Sequence, residues 1–423
     1  MCARWAERIS PDPVIAEIDR IRFVKKDGSI AFRGFSYFEL KSLLCACVEL
    51  DKTIVPEDKR RIVGRAVGVV DKARPLSAKT LLREIAKRER EFLALPARHR
   101  AFVSSVSIRY AAALSPRVVH GARITFCRQL PKRFDRSWAE DTAGEEIVGE
   151  LPKTYSAVIV TVLGRSEHEV VFRAMQQLDL LRSIWNLALN CGKRMGWCSG
   201  RPEPVNDILI GPIHTLHLSN GRPVSDLSWY EPGYLKAVKP FDDESRWERL
   251  QKEEDYVRRR LRNNKQRPFV EDMLRRYGRA LDQWDFENAF LQLWGILESL
   301  TGTIGTSYDA TVRRGSFLMA RKEYHAQLLG LLRKSRNDVV HHARSLEDSV
   351  CMVYQLKVYV EALLLFLLKN ANQFSCLDEF YQFLDSPRKK STLDRRRRLL
   401  MIAGKHVRSL SSDANVNKNQ KSN

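Results

Sequence analysis

The chain reads as an α+β protein: a mixed α/β N-terminal region followed by an all-α helical bundle. Three observations predict this. The runs "RAFVSSVSIRY", "RVVHGARITF" and "TYSAVIVTVLG" are rich in Val, Ile and Ser and fall between helical segments, as strands do. From Phe241 the apolar residues recur at steps of three and four, and they keep that period to the last apolar segment. At 423 residues the chain is longer than one core requires, so it divides into parts. The divisions expected are an N-terminal mixed helical region (1–115), an α/β sensor or recognition region (116–240), a helical domain (241–385) and a basic, disordered tail (386–423).

Taken in order, Tyr37–Leu50 and Leu76–Leu95 have helical spacing, the second with Ser77 as its cap. Three strands follow, the last ending at Gly164. Ser166 and Glu169 have capping-box spacing and Gly192 is a terminator, so a long helix lies between them. Asp207–Pro232 reads as a hairpin turning at Asn220-Gly221. His214 and His217 are three apart, which puts them on opposite faces of a strand and makes them structural or solvated.

The second half opens with a charged helix over 242–266, whose acidic residues form a solvated face. Arg279–Gly302 then carries Phe286, Phe290, Leu293, Leu297 and Leu300 in one apolar seam ending at a glycine. Residues 303–315 read as a loop and Ser316–Lys334 as the next helix. Glu347–Asn370 is apolar nearly all round, as in a helix buried in a bundle or at a subunit interface, with Val358, Ala362 and Phe366 on the face expected to pair. That segment is too short, and carries Glu361, so no membrane span is expected.

Composition narrows the function. Lys and Arg number 72 against 51 Asp and Glu, a net charge of +21, which points to a polyanionic partner such as nucleic acid. "VRRRLRNNKQR" and "SPRKKSTLDRRRRLL" concentrate arginine, whose paired donors grip phosphate. The eight cysteines form no C-x-x-C pair and have no histidines at metal spacing. Neither a metal site nor a disulfide framework is expected, and a reducing cytoplasm fits. No phosphate-binding G-x-x-x-x-G-K-[ST], no G-x-S-x-G and no H-E-x-x-H is present. This sets aside the common ATPases, serine hydrolases and zinc proteases.

The stretch "SRNDVVHH" carries the chemistry. Ser335 with Asp338 three residues on predicts a capped helix start there. Asn337 and His341, four apart, then share a face, with Arg336 beside them. An arginine holds phosphate and stabilises charge developing on it, a histidine moves a proton near neutrality, and an asparagine orients either. These parts are sufficient to cleave RNA through its own 2′-hydroxyl, with no metal or other cofactor. The same residues also admit a plain structural reading, in which Arg336 pairs with Asp338 or Glu347 and His341 is a satisfied core histidine. His342 points about 100° away from His341 and serves as a support at most.

"RNDVVH" resembles the R-x4-6-H motif of the HEPN superfamily, including the polar residue after the arginine. Upstream, "AFLQLWGILESLTG" resembles the first long helix of Apea-like HEPN domains, and the likeness covers Leu281 to Lys369. The resemblance implies a four-to-five-helix bundle that forms a homodimer, with the Arg-Asn-His sets of two chains facing one cleft. It implies a metal-independent endoribonuclease acting on RNA, in antiphage defence or a toxin-like system, with a phage-derived or other activating trigger. Arg336 takes the phosphate-binding role, Asn337 the supporting polar role and His341 the acid/base role; Glu298 is a weaker candidate, since a carboxylate on that helix can lie near the motif arginine. Two other readings stand beside it: a non-catalytic HEPN protein that binds nucleic acid, a nucleotide or a protein, and a DNA-binding regulator driven by the Arg-rich segments.

Overall fold

A computed structural model describes residues 3–419 apart from 8, 28, 35, 70–75, 110–113, 140–153, 196–202, 235, 237, 306–307, 343–347 and 371; the side chains of 226–227, 232, 308, 341–342 and 409–419 also lie outside the description. The chain is α+β and forms two compact units. The first comprises residues 1–189 and 203–251, the second 190–202 and 252–423.

The first unit begins with α1 (Asp12–Ile21), α2 (Ser36–Cys47), α3 (Pro56–Val67) and α4 (Ala78–Leu93). Their apolar faces share a core that includes Ile18, Leu44, Val63, Leu81 and Ile85. Two short antiparallel ribbons border them, β1 (Arg4–Trp5) with β4 (Val48–Glu49) and β2 (Arg22–Val24) with β3 (Ile30–Phe32). Ser77 caps α4 as its sequence predicts: its hydroxyl accepts from the Thr80 amide, and the Thr80 hydroxyl takes the Ser77 amide in return. Buried Glu89 accepts from the amides of Ala3 and Asp51, both at 2.7 Å, and so ties the N-terminal strand to α4.

A six-stranded antiparallel sheet forms the rest of this unit, in the order β10 (Pro223–Tyr230), β9 (Ile213–Leu218), β5 (Arg98–Val106), β8 (Ser156–Gly164), β7 (Ala122–Cys127), β6 (Arg117–Val119). The division expected at residue 115 therefore cuts across the sheet, because β5 supplies its centre from the near side. The single strand read over 117–126 is two strands. His120 (φ 46°) and Gly121 (φ 81°) form a two-residue turn with both φ values positive, the geometry that suits a tight hairpin. From Ala101 to Val106 every β5 residue is buried, so both faces are covered. On one face α5 (Glu167–Asn190) lays Trp185 against Phe126; on the other Phe134 packs on Ala101, Val103 and Ile159. Ser166 caps α5 by accepting from the Glu169 amide at 2.9 Å, while the Glu169 carboxylate takes the Arg165 amide. Gly192, at φ +85°, stands just past its end as expected.

Next, α6 (Glu244–Arg262) carries the chain into the second unit, which is all helical among the described residues: α7 (Arg267–Leu281), α8 (Phe286–Thr301), α9 (Tyr308–Gly315), α10 (Lys322–His342), α11 (Ser349–Lys369), α12 (Leu377–Leu384) and α13 (Lys390–Asn419). The predicted seam on α8 is buried at all five positions and packs against α7 and α11. Asp285 caps α8 by accepting from the amides of Glu287 and Asn288, which breaks the expected 279–302 run in two. Gly302 closes it in the left-handed region at φ +65°, where a Cβ would come within 2.4 Å of the Tyr381 ring.

Two expectations differ here. The loop read over 303–315 contains α9. Within the tail expected to lack structure, Lys390–Asn419 form α13, on which Arg395 to Arg398 are all on the surface. Phe366 stacks on Phe383 of α12 with centroids 5.0 Å apart and, like Val358 and Ala362, is half-buried. Among the described residues α11 alone is long and apolar enough to cross a membrane, and half of its most apolar stretch is buried within the protein.

Candidate functional site

The residues around Ser335 favour helix on both sides, since Leu, Ala, Gln, Lys and Arg dominate from Lys322 onward. As a result α10 runs without interruption from Lys322 to His342, and "SRNDVVHH" forms its last two turns rather than its start. The cap predicted at Ser335 does not form. Its hydroxyl instead donates to the Leu331 carbonyl one turn back, at 3.3 Å. The facing argument survives this correction, because it needs only a helix through residue 341: Asn337 and His341 occupy the same face.

Two side chains of the set touch. The Arg336 guanidinium donates through Nη1 to Asn337 Oδ1 at 3.3 Å, and both residues are half-buried. His341 and His342 close the helix with their backbones, and their side chains lie outside the described residues, as does all of Glu347. Glu298, the weaker candidate, is half-buried on α8, where its Oε1 accepts from Trp294 Nε1 at 2.8 Å. That bond spends part of the carboxylate on its own helix.

Two polar ties hold α10 in place. Arg333 Nη1 stands 2.6 Å from Asp309 Oδ1 of α9, and His325 Nδ1 is 2.9 Å from the Tyr359 hydroxyl of α11. The helix also leaves Tyr324, Leu331 and Val340 exposed. Tyr324 and Leu331, seven residues apart, share one side of the helix, whereas Val340 lies about 180° round from Leu331, so the three do not make one apolar face.

Sequence reasoning missed a buried ionic cluster in the same unit. Lys357 is fully buried in α11; its Nζ donates to Glu361 Oε1 and to the Asn190 carbonyl, both at 2.9 Å. The Tyr277 hydroxyl donates to the same Glu361 oxygen at 2.6 Å. Burial pushes the Glu361 carboxyl up and the Tyr277 phenol well up. The visible signal was Lys357 four residues before Glu361 inside an otherwise apolar helix. With no exposed member the cluster cannot meet a polymer substrate, and it acts as a polar fastening between α7, α11 and Asn190.

The strand histidines are likewise structural. His214 is fully buried, 2.8 Å from the Ser104 hydroxyl and tilted against Phe102. His217 meets Thr215 Oγ1 and the Gly221 carbonyl, with its edge toward Phe134 on the opposite face. The Ser104–His214 pair has the partners of a nucleophile and its base, yet Ser104 has no exposed surface, so it cannot attack a substrate.

No family model, curated protein or solved structure matches the chain.

Proposed function

We propose that the chain is a metal-independent endoribonuclease of the HEPN type, cytoplasmic, homodimeric through its helical unit, and serving antiphage defence or a toxin-like system. The observation that carries this reading is the Arg-Asn-x-x-x-His set on two consecutive turns of one helix, with the Arg336 guanidinium already against Asn337. In the reaction a base removes the proton of an RNA 2′-hydroxyl, and the oxygen attacks the adjacent phosphorus. The bond to the 5′-oxygen breaks and that oxygen receives a proton, leaving a cyclic phosphate and a 5′-hydroxyl. His341 supplies proton transfer, Arg336 binds the phosphate and the charge that builds on it, and Asn337 orients the arginine. The partner chain's copy of the set completes the acid and base pair. The exposed Tyr324 and Leu331, on one side of α10, support pairing along that helix together with the α11 face around Val358, Ala362 and Phe366 that the sequence favours.

The test is cleavage of total RNA in excess chelator by the wild-type chain and by His341→Ala and Arg336→Ala. Cleavage by the wild type, lost about 100-fold or more in each variant, is expected for one proton-transfer group or one phosphate contact. Cleavage that survives either substitution sinks the mechanism. RNA binding without cleavage by all three assigns the non-catalytic role, and an active monomer in light scattering removes the shared site.

A further inference from the structure

In the first unit a cavity of about 560 Å³ opens among α3, α4 and the start of α5. It has the volume of a small-molecule site. Helix α3 lines it with Asp58, Arg61, Ile62 and Arg65, at i, i+3, i+4 and i+7 of one face. Helix α4 repeats the pattern, with Arg88, Glu91 and Phe92 continuing to Leu95. Arg100 of β5 and Arg165, just after β8, reach the same space.

The arginines are not equivalent. Arg88 is neutralised by Glu84 and Glu91, at 2.9 and 3.0 Å, and Arg165 approaches Glu169 at 3.4 Å. Arg61 and Arg65 have no carboxylate within ion-pair distance among the described residues, although they lie one turn apart and project to the same side. Arg100 makes one long bond, Nη1 to the Gly164 carbonyl at 3.4 Å, while its Nε is buried with no acceptor. A buried guanidinium N–H without an acceptor calls for one. The amino end of the 24-residue α5 also meets the cavity through Ser166, Glu167 and His168, and its dipole favours an anion there.

A second orphan sits opposite in character. Asp58 is 1% exposed; its Oδ2 accepts from the Ser166 hydroxyl at 2.5 Å, and its Oδ1 has no partner. Burial pushes this carboxyl up. An unfilled carboxyl oxygen and unfilled guanidinium donors lining one cavity suit a ligand carrying both a phosphate and a hydroxyl or amino group. Ile62, Phe92 and Leu95 add an apolar and aromatic wall on which a flat ring can rest.

We infer that this cavity binds a nucleoside phosphate, with the phosphate held by Arg61, Arg65 and Arg100 and a ligand hydroxyl or amine donating to Asp58. The site belongs to the first unit alone and does not depend on the ribonuclease reading.

The test is calorimetric titration of the full chain with AMP, ATP and inorganic pyrophosphate, alongside Arg61→Ala/Arg65→Ala, Asp58→Asn and His341→Ala. Both arginines of the double variant are exposed, so it should fold, and circular dichroism checks that it does. Binding of AMP or ATP is expected, weakened 10-fold or more in the double variant, since each charge-assisted contact carries that order of effect. Asp58→Asn weakens the nucleotides and leaves pyrophosphate unchanged. His341→Ala binds as the wild type does, which separates this site from the nuclease motif. No heat with either nucleotide, or binding indifferent to the double substitution, overturns the proposal; pyrophosphate binding as tight as ATP overturns its nucleoside part.

Discussion

At the scale of single residues, His214 shows how burial turns a titratable group into an acid-sensitive weak point. Its desolvation, reinforced by the nearby Arg136 charge and opposed by Asp179, lowers its pKa to about 3. Glu231 Oε1, 3.9 Å from Nε2, is the other charged group facing it. An unfolded histidine takes up a proton near pH 6.5, so between 6.5 and 3 the unfolded chain binds a proton that the native chain excludes. Stability then rises with pH through that window and falls on acidification, by roughly 3 kcal/mol between pH 7 and pH 4. Urea titrations of the wild type and His214→Gln across this range check it: the wild type should lose more stability, by about that amount, and parallel curves would refute the assignment. The alternation of the strand was enough to put His214 and His217 on opposite faces and to read them as structural or solvated; their burial makes them structural. Their separate partners were not legible, because Ser104 is 110 residues from His214 in the chain and only the sheet register brings the two together.

At the scale of elements, legibility followed the locality of the signal. The start of α4 at Ser77, that of α5 at Ser166 and the end of α8 at Gly302 were readable because a cap is written in four or five consecutive residues. The same locality misled at Ser335. A serine followed three residues later by an aspartate also occurs inside a helix, and there the strong helix formers upstream carry the backbone through. The hairpin at His120-Gly121 was lost inside a Val-rich run. The Thr- and Ser-containing segment that holds α9 was read as loop, although its hydroxyls satisfy one another, Thr301 with Thr303 at 2.9 Å and Thr303 with Thr311 at 2.7 Å. The correction at Ser335 has a direct test. A serine that only donates back to Leu331 is replaceable, so Ser335→Ala should change unfolding stability by less than about 0.5 kcal/mol. A loss near 1 kcal/mol or more, measured by chemical denaturation, would restore the capping role. For the candidate site itself, the Arg336–Asn337–His341 spacing was legible. Its place at the end of α10 depended on where that helix began, which is the least local of its properties.

At the scale of the whole molecule the charge is unevenly spread. After Pro387 stand eleven Lys and Arg against two Asp, so this last segment carries nine of the 21 net positive charges in under a tenth of the length. It forms α13, on which Arg395 to Arg398 are exposed and Lys389 and Lys390 stand at the start. An exposed basic helix of 30 residues cannot be explained by burial, and positive charge held on one helix is suited to tracking phosphates rather than to reading bases. If the chain acts on RNA, this helix supplies encounter and grip while the α10 motif supplies chemistry, and the two contributions separate experimentally. Removing everything after Pro387 from a His341→Ala chain, which leaves the RNA intact, should weaken binding to single-stranded RNA in fluorescence anisotropy. It should also flatten the salt dependence: each phosphate contact contributes a slope of about −0.7 in log affinity against log salt, so losing four or five contacts reduces the slope by about 3. The wild-type chain truncated at the same place should still cleave when RNA is saturating, because Arg336, Asn337 and His341 remain. An unchanged slope would mean that α13 does not touch the polyanion, and the net charge of the chain would then have to act through the arginines of the two folded units.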